Sequence, residues 1–139
     1  MKMLFWAITA LVGASLLFFA SIYGASELGG EVAVLHRPAA DGSVDPVRVW
    51  IVEDERGVWI EHGGPDAPWI QGLAQAPELR LERAGAEATY RAVADPSSHA
   101  HYHELRQARY GWADTYVAMV TSDAASCPGV PIRLDPTGG

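Results

Sequence analysis

Gly63 and Gly64 are where chemistry in this chain would have to start. The stretch 61–73, EHGGPDAPWIQGL, follows an apolar run, Val58-Trp59-Ile60. It passes the two glycines, crosses Pro65 and Pro68, and enters a short segment carrying Trp69, Ile70 and Leu73. Adjacent glycines let backbone N–H groups turn toward a ligand with no Cβ in the way. A helix opening near Trp69 would aim its positive end at the same place, where an anion could sit. That is the pattern of a phosphate cradle, and Gly-Gly-Pro is equally an ordinary strand-to-helix turn. A second cluster is His99, His101 and His103 beside Glu104. On a helix only His99 and His103 share a face, at the i, i+4 spacing of two-histidine metal sites. A third ligand would have to come from elsewhere, such as Asp95, and no H-E-x-x-H pattern is present. These histidines read as a solvated helix face, and no metal is assigned. No G-x-S-x-G occurs, and Cys127 stands before Pro128 with no base beside it, so no nucleophile, catalytic acid or base is singled out.

Composition narrows the partners. Seventeen acidic residues face ten basic ones, a net charge of −7, and Lys2 is the only lysine. Contacts to nucleic-acid phosphates need a basic face, so nucleic acid is excluded as a partner. A single cysteine rules out an intrachain disulfide. There is no internal repeat. Past the first two dozen residues, about 115 remain, enough for one core and not for two.

Met3 to Tyr23 runs without a charge and is rich in Leu, Phe, Ala and Ile. A membrane span needs about 20 such residues. Trp6 and Tyr23 sit near its ends, where amphipathic rings favour the interface. A cleaved signal peptide is the rival reading, but no small-x-small site follows: cutting after Ala25 puts Tyr23 at position −3. The expectation is a single-pass anchor and link over residues 1–25, then one domain over 26–139, with the side on which the domain lies left open. Residues 26–30 read as a juxtamembrane tether.

The elements that would position the Gly63 loop follow in order. Residues 31–36 form a first strand, joined through an Asp41-Gly42 turn to a second over 47–53. In the second strand Val47, Val49 and Ile51 share one face, and Arg48, Trp50 and Val52 the other. Glu53-Asp54-Glu55 reads as a solvated turn before a third strand, 58–62. After the Trp69 segment, Pro77 resets the chain. A hairpin follows from 78–83 and 88–94. Asp95-Pro96 is a helix start, His99–Tyr110 and 112–121 are helical pieces, and 130–134 is a last strand. Trp50, Trp59 and Trp112 read as filling the core or a dimer seam. Six strands in short hairpins with a few helices predict an α+β, mainly β fold: a small antiparallel barrel behind one transmembrane helix.

The order and spacing of these motifs resemble a known family. Arg48-x-Trp50, Gly63-Gly64 with Pro68-Trp69 and Leu73, Pro77-Glu78-Leu79, the GWAD of 111–114 and the VPIRLDP of 130–136 are similar to the deazaflavin-dependent nitroreductases. Those belong with the pyridoxamine-phosphate-oxidase-like, flavin-binding split barrels, and the likeness is to a small membrane-anchored branch. The resemblance implies a six-stranded split barrel, a homodimer, and a deazaflavin coenzyme or FMN in a groove between subunits. It implies cofactor contacts from Arg48, Val49, Trp50, His62, Gly63, Gly64 and Trp69, and hydride transfer to a lipophilic quinone or nitro compound. A non-catalytic barrel serving as a binding or scaffold module is the alternative. One departure is visible: where better-known members have basic and hydroxyl groups before the second strand, this chain has Ala40-Asp41-Gly42-Ser43-Val44-Asp45, and negative charge there works against a phosphate.

Overall fold

The computed structural model describes residues 2–39, 41–121 and 129–137, with backbone alone at 25–29, 117, 118, 120 and 121. Cys127 lies outside the described residues. Helix α1 (Lys2–Gly29) opens the chain, and its section Lys2–Gly24 is 23 residues long, apolar, and not buried in the rest of the protein. It is long and apolar enough to cross a membrane. The tether expected at 26–30 is instead helical through Gly29, because Ala25 to Leu28 contains nothing that breaks a helix.

Six strands then close a barrel: β1 (Val32–Pro38), β2 (Val44–Asp54), β3 (Gly57–Glu61), β4 (Glu78–Arg83), β5 (Ala86–Ala94) and β6 (Pro131–Pro136). The order around it is β1-β2-β3-β6-β5-β4, every pair antiparallel, with β4 returning to β1 at Leu35↔Leu81. The six predicted strands are all present, and β2 extends beyond its predicted ends. Helix α2 (Pro68–Gly72) joins β3 to β4. Between β5 and β6 come a 3₁₀ turn (Pro96–Ser98), α3 (His99–Tyr110) and α4 (Trp112–Thr121). Asp95 caps the 3₁₀ turn as its sequence predicts, accepting from Ser97 N at 3.2 Å and Ser98 Oγ at 2.7 Å.

Period-two alternation divides the side chains between two cores. Leu35, Val49, Ile51, Ile60, Leu79, Leu81, Ile132 and Leu134 fill the barrel, with Trp69 and Ile70 of α2 and the following Leu73 packed among them. The outer face of β2 and β3 is covered as well: Val52 and Trp59 pack under Tyr102 and Tyr110 of α3, with Trp50 beside them. The two faces predicted for β2 are thus the ones observed. Trp112 does not fill the core; it is 64% exposed.

The Glu53-Asp54-Glu55 turn is not simply solvated. Asp54 accepts from Trp59 Nε1 at 2.8 Å, from Arg56 N at 2.9 Å, and lies 2.7 Å from His101 Nε2. A buried indole N–H needs an acceptor, and this carboxylate supplies it. Burial works to raise the Asp54 pKa; the bonds from Trp59, His101 and Arg56 outweigh it and hold the carboxyl far below its usual range. A carboxylate depressed in this way stabilises the fold above its unfolded value, about 3.9, and loses that contribution as pH falls below it. Asp54→Asn is therefore expected to cost roughly 2–4 kcal/mol at neutral pH. The variant should also lose less stability than the parent on acidification from about pH 4 downward. Thermal unfolding followed by circular dichroism across that range measures both, and parent-like unfolding of the variant at neutral pH would show the Asp54 contacts to be dispensable.

Candidate functional site

The loop leaving β3 reaches one mouth of the barrel. Gly63 has φ +101°, a conformation L side chains rarely adopt, and a Cβ there would meet Ala67 Cβ and Trp69 Nε1 at 3.4 Å. Its carbonyl accepts from Val130 N at 3.0 Å, and the Gly64 carbonyl from Ala67 N at 3.0 Å. Trp69 is 7% exposed, and its indole N–H is enclosed with no hydrogen-bond partner among the described residues. Helix α2 spans only five residues, so the positive helix end expected behind the loop is at most that of a single turn.

The cation at this mouth is Arg37. Its Nη1 lies 3.4 Å from His62 Nε2, and its other terminal nitrogen is paired with Asp45. Burial first, then the Arg37 charge, push the His62 pKa below the ordinary histidine range, with Asp45 pulling the other way. The ring is held neutral. His62 also lies near Trp69, ring centres 6.4 Å apart. Beside them Pro38, Ala39, Pro68, Trp69, Gly72 and Ala76 line a cavity of about 160 Å³. Sequence reading missed Arg37, although the hairpin register that sets it opposite Asp45 was a signal for the pair.

The remaining residues expected at a cofactor site lie along β2. Val49 points into the barrel and is buried. Arg48 and Trp50 point outward: the Arg48 guanidinium is 5.7 Å from the Tyr23 ring centre, and Trp50 stacks on Tyr110 at 4.7 Å and 18°. Arg48 closes a groove of about 760 Å³ along α1, lined by Leu16, Phe19, Ala20, Ile22 and Tyr23. The structure therefore brings His62, Gly63 and Trp69 together at the mouth, and sets the Arg48 and Trp50 side chains on the outer face toward α1 and α3.

A second constellation sits on that outer face. Glu61, at the end of β3, has a side chain only 5% exposed. Its Oε1 is 3.4 Å from His99 Nε2, and its Oε2 is 3.6 Å from both His103 Nε2 and Arg106 Nη1. The two histidine Nε2 atoms are 3.2 Å apart. Arg106 Nε is 2.6 Å from Asp114 Oδ1. The histidines are not a solvated face: His103 is 13% exposed, and burial, with Arg106 and His99 adding to it, lowers its pKa. Asp95, the suggested third partner, is committed to its cap; Glu61 takes the place, and His101 is turned to Asp54.

No family model matches this chain, and no curated protein does. Solved structures do. A conserved hypothetical protein, Rv2991 of Mycobacterium tuberculosis, is 13% identical with a TM-score of 0.54 over 82% of this chain and 78% of its own. A Listeria innocua protein assigned as a pyridoxamine 5′-phosphate oxidase is 15% identical, with a TM-score of 0.52 over 86% and 93%. HutZ, the heme storage protein of Vibrio cholerae, is 12% identical, with a TM-score of 0.52 over 78% and 82%. Likeness at such identities is likeness of fold, and the fold of this chain is the split barrel those proteins share.

Proposed function

We propose that this protein is a membrane-tethered oxidoreductase that uses a deazaflavin coenzyme or FMN to pass hydride to a quinone or nitro compound. The observation that carries the reading is the convergence of Arg37, His62 and the side-chain-free Gly63 loop at one mouth of a split barrel. The cofactor supplies the hydride chemistry when bound; the chain binds it, orients it and excludes water. Arg37 is the cation for a phosphate at the mouth, and it is engaged by Asp45 until one arrives. Gly63 and Gly64 permit close backbone approach, Trp69 forms a wall, and a neutral His62 keeps a positive ring away from Arg37. A cavity of about 160 Å³ falls short of the ~300–1,000 Å³ that ligands of this size occupy. A second copy of the chain supplies the missing wall, so the reading requires a homodimer. Helix α1 tethers the barrel at the bilayer, where lipophilic acceptors concentrate, with Arg48 and Tyr23 at the interface level.

One observation favours a second reading. The Arg37–Asp45 pair satisfies the mouth internally, which suits a barrel that has kept its fold as a binding or scaffold module without a cofactor. Titration separates the two. Full-length protein in detergent is expected to bind FMN or the deazaflavin coenzyme saturably, read by fluorescence quenching. Arg37→Ala should weaken binding roughly tenfold to a hundredfold, since a charge-assisted bond contributes about 1.5–3 kcal/mol. Absence of saturable binding of either below about a millimolar would sink the oxidoreductase and leave the module.

Two further outcomes bear on the setting. Sedimentation at about ten micromolar should find a dimer once detergent is accounted for, with an interface near the ordinary ~1,600 Å²; monomer alone would remove the shared wall. After an alkaline carbonate wash the full-length chain should stay in the membrane pellet, and release into the supernatant would show that α1 is not a retained anchor.

A further inference from the structure

We propose that Glu61, His99 and His103 form a binding site for a divalent transition metal of the zinc class, outside the barrel and independent of any cofactor at its mouth. The three side chains each offer one ligand atom, all within 4.8 Å of one another. The separations approach those of a coordination polyhedron. Tetrahedral zinc with bonds of about 2.0–2.1 Å needs its ligand atoms about 3.3 Å apart. His99 Nε2 is 3.2 Å from His103 Nε2 and 3.4 Å from Glu61 Oε1. His103 Nε2 is 3.6 Å from the other carboxylate oxygen, Glu61 Oε2, so a turn of the carboxylate would set one oxygen against both rings.

The scaffold fixes these atoms from both sides. His99 and His103 are one turn apart on α3, so their rings stand over the same spot, centres 4.4 Å apart. Glu61 packs closely against Gly129: a Cβ at that position would lie 2.4 Å from the Glu61 carboxyl carbon, so the carboxylate as placed relies on the missing side chain. Charge favours a dication. Arg106 stands 3.6 Å from Glu61 but is also held by Asp114, and the group sums to −1 with both histidines neutral. Two imidazoles and one carboxylate suit zinc, cobalt, nickel or copper rather than magnesium or calcium, which take oxygen. Three protein ligands leave the fourth position for water or a small anion. Access runs past His99, whose side chain is 30% exposed, while Glu61 at 5% is shielded.

The test uses the full-length, tag-free protein in detergent, stripped with EDTA and titrated with Zn²⁺ against a chromophoric chelator. One zinc per chain is expected, with a dissociation constant of micromolar or below, and Co²⁺ should give the visible absorption of a four-coordinate site. Glu61→Gln, which keeps the shape and removes the charge, and His99→Ala, the more exposed member, should each weaken Zn²⁺ by at least about tenfold. Each should also lose the Co²⁺ band. His36→Ala, on β1 and away from the cluster, should leave both unchanged. Far-UV circular dichroism confirms which variants are folded, and if one is not, the Co²⁺ spectrum of the parent still decides. Lack of stoichiometric Zn²⁺ binding below about 100 µM, a six-coordinate Co²⁺ spectrum, or undiminished affinity in the folded variants would overturn the site.

Discussion

The structure depends on one constraint: β2 and β3 have no face to give to water. Their inner side chains, Val49, Ile51 and Ile60, belong to the barrel, and their outer ones, Val52 and Trp59, must be covered as well. Helix α3 is the cover, and it is placed by polar groups at its margins. Asp54 and Glu61 bracket Trp59, at the end of β2 and the end of β3. The first carboxylate takes His101 and the indole N–H, and the second takes His99, His103 and Arg106. Tyr110 then sets its hydroxyl between the carbonyls of Glu31, at 2.9 Å, and Ile51. Its ring lies where a Cβ on Gly30 would be, 1.5 Å from Cε1, so a side chain at residue 30 would force the Tyr110 ring from this position. Gly30 is also the bend where α1 enters β1, so Tyr110 of α3 packs against the junction of helix and barrel.

Cations are scarce in this chain, and most of those described are spent on carboxylates. Arg83 binds Glu31 and Glu53 together, Arg109 joins at Glu31, Arg106 holds Asp114, Arg37 holds Asp45, and Arg133 holds Asp135. At the mouth, where Arg37 is committed to Asp45, an anionic ligand has to displace a carboxylate from a guanidinium. A dication faces the opposite situation at Glu61, where the charge it meets is already net negative. The electrostatics of the outer face thus welcome a cation more readily than those of the mouth welcome an anion.

The barrel was legible because strands announce themselves by alternation, and alternation in β2 assigned Val49 and Arg48 to opposite faces as observed. The Asp95 cap and the Asp41-Gly42 turn were legible from local residue chemistry alone. Asp54 was not, because a run of charges between strands looks the same whether it meets water or a tryptophan brought against it by the hairpin. The third partner of His99 and His103 was hidden for a related reason. Helical spacing reveals a pair on one helix, but Glu61 arrives from a distant strand, by way of the register of β3 against β6. Arg37 stood outside every motif that the resemblance quoted, and only its position opposite Asp45 tied it to the mouth.

The two sites meet at a single peptide. Glu61 and His62 are neighbours on an extended chain, so their side chains leave on opposite sides: Glu61 toward the histidines of α3, His62 toward Arg37 and Trp69. The segment that enters β6 holds both. Gly129 closes against the Glu61 carboxylate, and one residue later Val130 donates to the Gly63 carbonyl. Residues 61–63 are therefore gripped from the same strand end on both sides of the barrel wall. A metal drawn to Glu61 would act on the same strand end that holds the Gly63 loop. Whatever binds at the mouth meets a loop whose position is set partly from outside the barrel, by the partners of Glu61.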